Sequence, residues 1–171
     1  SFGLEHPLWF QRPGEAPVED VTFRRSNAFD VVATECRAVR QRVGLTECSN
    51  FAKYRVSGPG SAEWLQGLLT KRLPKPGRIA LTAMLNEEGR IVGEFSVARI
   101  DADEFLLFGS QVAEVHHSRW FLAHLPDQRD RPDDEAIRFE VLGLSLVGLS
   151  VAGPHARDVL QSVTAESLAT P

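Results

Sequence analysis

No apolar run in these 171 residues approaches the roughly 20 needed to cross a bilayer. Basic excess is missing too. Lys and Arg number 19 against 23 Asp and Glu, a formal charge of −4. A mildly acidic chain is a poor match for nucleic acid or for a membrane surface, which both favour basic patches. The first residues, Ser1 to Pro7, have neither a positive start nor an apolar stretch, so they do not read as a secretory signal. There is no initiating Met, and the chain is expected to be cut from something longer. Only two cysteines occur, Cys36 and Cys48, which are expected to be plain buried or partly buried thiols without a disulfide.

Standard cofactor signatures are also missing. The chain has no G-x-G-x-x-G, no G-x-x-x-x-G-K-[ST] and no C-x-x-C, so no motif here binds a flavin, a nicotinamide or a nucleoside triphosphate. No serine sits in a G-x-S-x-G elbow. His116, His117 and His124 are spaced by one, seven and eight, whereas ligand pairs on a helix need three or four. They are expected at the surface or an interface, with no metal.

What is present reads as an α+β chain. Residues 1–20 are an irregular, turn-rich lead-in in which Trp9 and Phe10 anchor the segment to a surface; a domain follows over 21–171. A helix is predicted over 28–43, with Asn27 as N-cap, Val32, Cys36, Val39 and Val43 on one face, and Gly44 beyond its end. A strand over 52–57 leads through Gly58-Pro59-Gly60 into a helix over 61–70 that buries Trp64, Leu65, Leu68 and Leu69. Residues 78–99 read as a hairpin turning at Asn86-Glu87-Glu88-Gly89. A third strand, Phe105 to Phe108, completes an antiparallel meander. Further on come a helix over 111–124 using Val112, Val115, Phe121 and Leu122, one or two strands within 137–152, and a helix over 155–163. Val56-Ser57-Gly58-Pro59 and Val151-Ala152-Gly153-Pro154 each lead into a helix, a local unit used twice that suggests two related lobes.

One residue stands out for chemistry. Glu94 lies in a strand otherwise made of Val, Phe, Ser and Ala, and its own face carries the small residues Ser96 and Ala98. A carboxylate there must be solvated, paired or used. Local sequence leaves both readings open, a solvent-facing glutamate and a functional one. Glu63, Glu87, Glu88 and Glu114 read as solvated faces or turns.

The stretch Arg78 to Val97, a Met84-Leu85-Asn86 strand end, a turn at Gly89 and a strand bearing Glu94, resembles the core hairpin of the glycine-cleavage T-protein family. Pro7-Leu8-Trp9-Phe10, Val39 to Leu45, Ser49 to Pro59, Trp120 to Pro126 and Ala152 to Leu160 resemble, in the same order, the branch formed by dimethylglycine and sarcosine dehydrogenases. The resemblance covers nearly the whole chain. It implies the front part of an α+β folate-binding aminomethyltransferase fold, truncated before its closing barrel. It also implies capture of a one-carbon unit by tetrahydrofolate as 5,10-methylenetetrahydrofolate, after a separate flavin (FAD) domain of the parent chain has oxidised an N-methyl amine. In this alignment the family's two adjacent acidic residues fall on Gly93 and Glu94, so the first is lost and the second is Glu in place of Asp. The resemblance implies Glu94 as the catalytic carboxylate and Met84, Ser96 and Gly109 as folate-pocket residues. Each of those three also has a plain reading: a core methionine, a space-filling serine and a strand-ending glycine. The isolated chain is expected to be inactive, and cytoplasm or mitochondrial matrix is the expected compartment. Two rival readings stand beside this one: a stand-alone T-protein-like aminomethyltransferase or demethylase, and a non-catalytic folate-binding or docking domain.

Overall fold

The computed structural model describes residues 8–129, 132–133 and 135–169. In chain order the elements are α1 (Phe29–Gln41), β1 (Gly44–Glu47), β2 (Ala52–Ser57), α2 (Ser61–Leu68), β3 (Arg78–Leu85), β4 (Ile91–Asp101), β5 (Glu104–Gly109), α3 (Glu114–Ala123), β6 (Arg138–Val141), β7 (Leu149–Ala152) and α4 (Ala156–Gln161). They form two compact units, residues 48–148 and the two flanking segments 1–47 and 149–171.

The central unit is built on one five-stranded sheet in the order β3-β4-β5-β2-β6, every neighbouring pair antiparallel. The expected meander is its β3-β4-β5 part, and β2 enters between β5 and β6. Strand alternation then sorts side chains to two faces. Thr82 and Met84 of β3, Gly93, Phe95 and Val97 of β4, Phe105, Leu107 and Gly109 of β5, and Ala52, Tyr54 and Val56 of β2 are all buried on one face. Trp64, Leu65 and Leu69 from the α2 segment and Phe121 from α3 join them in a single apolar cluster. Burying each large side chain of this set is worth about 1.5–3 kcal/mol. Aromatic rings dominate its centre: Phe95 lies 6.1 Å from Tyr54 and 5.5 Å from Phe121, centroid to centroid.

The structure corrects the expected face of the 111–124 helix. Gln111–Ala113 is a 3-10 turn, and α3 proper buries His117 and Phe121, one turn apart. Val112, Val115 and Leu122 are exposed. The apolar residues misled because the helix packs by its 117/121 ridge, and an aromatic pocket accepts a neutral imidazole there.

The flanking unit pairs β1 with β7 in a two-stranded antiparallel ribbon. Here α1 ends at Gln41, earlier than expected, because the chain turns at Arg42 into β1. Gly44 therefore starts a strand. A Cβ on it would lie 2.4 Å from the Val39 side chain, so glycine is needed for the strand to leave so close to the helix. Asn27 does not cap α1. Ala28 holds that position, while the Asn27 amide donates to Val18 O (3.0 Å) and accepts from Asp20 N (2.9 Å), which ties the lead-in to the helix start. Cys36 is exposed, against expectation, because no residue of α1 is fully buried; Cys48 is half-buried. Both expected strand–Gly-Pro–helix units are present, β2 into α2 and β7 into α4.

Candidate functional site

On the second face of the five-stranded sheet, β4 presents Glu94 and Ser96. Glu94 is exposed and stands opposite Ala83 of β3, whose single methyl leaves room beside the carboxylate. Ser96 is half-buried between Leu81 of β3 and Phe108 of β5, and Phe108 in turn faces Lys53 of β2. Directly opposed residues share a face, so Leu81, Ser96, Phe108 and Lys53 form one row, with Glu94 one step along β4. Lys53 is only 2% exposed, and its ammonium donates to the carbonyls of Ser49 (2.5 Å) and Phe51 (2.9 Å). In the next row Arg55 lies 3.7 Å from Glu104 and 3.8 Å from Glu140, half-exposed pairs that contribute little to stability. The face thus carries an exposed carboxylate, a hydroxyl and an aromatic ring.

Met84 and Gly109 are on the opposite, covered face. Met84 is fully buried, opposite Gly93 and bridged to Leu69. Gly109 closes β5, and a Cβ there would meet ring carbons of Phe95 at 2.7 and 2.8 Å. The cause is register. Met84 pairs with Gly93, one residue before Glu94, and a shift of one residue in a strand reverses the face. The structure therefore brings Glu94 and Ser96 together and separates them from Met84 and Gly109, whose plain readings as core methionine and strand-ending glycine fit their positions.

A polar pair that sequence reasoning missed lies inside the core. The Tyr54 hydroxyl is 3.2 Å from Nδ1 of His117 and 3.4 Å from the Glu114 carbonyl. His117 is 2% exposed, which overturns its expected surface position. Burial, aided by neighbouring His116, pushes its pKa below the usual histidine value. Burial, aided by Glu114, pushes that of Tyr54 well above the usual phenol value. Both groups are accordingly neutral near pH 7. The signals were two glycines, Gly93 and Gly109, in otherwise bulky strands, and a histidine four residues before Phe121. His116 and His124 are exposed as expected, and His124 Nδ1 lies 2.8 Å from the Trp120 carbonyl. Among the described residues no three His, Cys, Asp or Glu side chains cluster so as to hold a metal, and no helix is long and apolar enough to cross a membrane.

The chain is similar to known proteins over nearly its whole length. The model of the GCVT N-terminal domain family matches residues 1–170. The mitochondrial dimethylglycine dehydrogenase of Homo sapiens is 35% identical over 97% of this chain, which spans 19% of that protein. An aminomethyltransferase from Oceanobacillus iheyensis is 28% identical over 82% of this chain and 37% of its own length. Among solved structures, glycine cleavage system aminomethyltransferase T from Bartonella henselae superposes with a TM-score of 0.62 at 20% identity, covering 77% of this chain and 35% of that one. The chain thus spans about a fifth of the first relative, under half of the second and about a third of the third, and it shares the fold of the last.

Proposed function

From the premise that this chain belongs to the GCVT N-terminal domain family, we propose that it is the front part of a tetrahydrofolate-binding one-carbon transfer domain. The parent is a flavin-dependent N-methylamine dehydrogenase of the dimethylglycine or sarcosine type. Residues 1–20 are then the lead-in from the flavin domain, and residues 21–171 begin the folate domain. The observation that carries the reading is Glu94, a carboxylate exposed in mid-strand beside Ala83 and one step from Ser96 and Phe108. The 35% identity to a dimethylglycine dehydrogenase favours this parent over a stand-alone aminomethyltransferase.

The face fits a folate ring. A pterin is flat and carries amine nitrogens, so it suits an aromatic surface such as Phe108 and polar groups such as Ser96 and Glu94. Met84 and Gly109 would shape that face from behind, through the core, without touching the ligand. Tetrahydrofolate, when bound, supplies the two nitrogens that take up the one-carbon unit. Capture of the one-carbon unit by those nitrogens would break its bond to the original amine, which leaves, and would release two N–H protons. Glu94 is placed to accept one, and its negative charge favours the cationic iminium next to it. Glutamate carries its carboxylate about 1.5 Å further from the backbone than aspartate, one C–C bond; a misplacement near 1 Å can cost about 100-fold in rate. The Glu at this position therefore requires a backbone held to suit it.

Calorimetric titration with tetrahydrofolate, of this chain and of the same chain continued through the rest of the domain, tests the proposal. Saturable binding by the longer form supports it. Binding by neither form refutes it, and leaves a docking domain of the same fold.

A further inference from the structure

We infer that His117 is a positioning residue for Glu94, holding the β4 backbone from the face opposite to the carboxylate. The inference rests on the role proposed for Glu94. Pairing of β4 with β5 begins only at Ser96, opposite Phe108, so residues 92–95 have no β5 partner. On the other side the register with β3 shifts between Met84 and Leu85, and Val92 is passed over. Ahead of Glu94, Gly93 is thus paired only with Met84 of β3, and Val92 with neither neighbouring strand. His117 stands at that gap. Its Nε2 lies 2.7 Å from where a Cβ on Gly93 would be, so the ring rests on bare backbone, a contact only glycine permits.

The rest of the ring is fixed by its surroundings. Phe95 packs edge-on at 4.7 Å between centroids, and a Cβ on Gly109 would come within 3.5 Å of Cε1. Nδ1 meets the Tyr54 hydroxyl at 3.2 Å. The Tyr54 hydroxyl, whose single proton also has the Glu114 carbonyl within reach at 3.4 Å, holds that edge of the ring by contact. The ring therefore links β2, through Tyr54, to β4 at Gly93. This also gives a physical account of Gly93: an acidic side chain there would occupy the volume that His117 fills. A longer catalytic side chain at 94 and a ring resting on Gly93 belong to one arrangement.

The test uses the full-length natural protein, with His117→Phe, Glu94→Gln and the double variant. Phenylalanine keeps the packing against Phe95 and removes the polar contact with Tyr54. The expected result is a fall of about 10- to 100-fold in kcat for methylene capture by tetrahydrofolate. The folate KM should move less than about threefold, and amine oxidation should be unchanged. In the Glu94→Gln background, His117→Phe should cost nothing further, because the carboxylate it positions is gone. His117→Gln, which keeps a polar group for the Tyr54 hydroxyl, should recover part of the rate, and it carries the comparison if His117→Phe fails to fold. Losses that multiply in the double variant, or a parallel fall in amine oxidation, overturn the positioning role while leaving Glu94 in place. If Glu94→Gln alone leaves capture unchanged, the role of Glu94 itself has failed.

Discussion

Gly93→Ala should destabilise the central unit although it adds one methyl group to a strand. The added Cβ would sit 2.7 Å from Nε2 of His117 and 2.8 Å from two ring carbons of Phe95. Carbon contacts relax near 3.5 Å, so the rings must recede by about 0.8 Å. Phe95 is fully buried, with the rings of Tyr54, His117 and Phe121 packed 4.7 to 6.1 Å from it. Overpacking of this kind costs about 1–3 kcal/mol. Loss of glycine from the unfolded chain returns about 0.4–1 kcal/mol. The net effect is a loss of about 1.3 kcal/mol from the midpoints of the two ranges, a fall in melting temperature of roughly 3–5 °C for a chain of this size. Urea unfolding followed by near-UV circular dichroism measures it. Gly67→Ala is the control. Nothing lies within 4 Å of a Cβ at Gly67, which sits inside α2, so alanine should be neutral or stabilise by up to about 1 kcal/mol. A Gly93→Ala protein that unfolds at or above the parental urea concentration would refute the packing argument.

The Tyr54–His117 pair sets a pH window for stability. The folded pKa of His117 is depressed, so its contribution is present above about pH 6.5 and is lost as pH falls through the folded value. That of Tyr54 is raised, so its contribution is present below about pH 10 and is lost as pH rises beyond it. His116, Glu114 and Ser118 are the other polar groups near the pair, and the expected urea-midpoint profile is a plateau between those limits that extends to lower pH in His117→Phe, where no imidazole remains to be charged. Trp64→Phe should cost about 1–3 kcal/mol, because the buried indole donates to the His124 carbonyl at 2.7 Å and so ties α2 to the end of α3; thermal unfolding reads it. Gly58→Ala should fail to give soluble protein or melt far below the parent, since Gly58 has φ 101° and a Cβ there would fall 2.2 Å from the Ala136 carbonyl.

Strand alternation and turn chemistry made most of the central unit legible. Ala52 to Ser57 gave β2 with its observed bounds, and the turn at Gly89 gave the hairpin. The same alternation separated Glu94 and Ser96 from Phe95 and Val97. Register was not legible. Nothing within β3 alone says that Met84 pairs with Gly93 and not with Glu94, and that single residue decides that Met84 lies in the core. His117 was missed because a histidine in a helix ordinarily faces water. Its burial depends on Tyr54, 63 residues away in sequence, and on two glycines in different strands. The helix over 29–41 was legible in extent to within two residues, but its apolar stripe did not predict burial, because Val32 and Val39 remain partly exposed.

The most direct test of the functional account is product analysis in the full-length protein carrying Glu94→Gln, with an N-methyl amine and tetrahydrofolate present. Glu94 is exposed, so stability should change by no more than about 0.5 kcal/mol. The account predicts unchanged amine oxidation and methylenetetrahydrofolate formation slowed about 100-fold, with the one-carbon unit appearing as free formaldehyde after hydrolysis of the iminium. Formation of methylenetetrahydrofolate at the parental rate would contradict it.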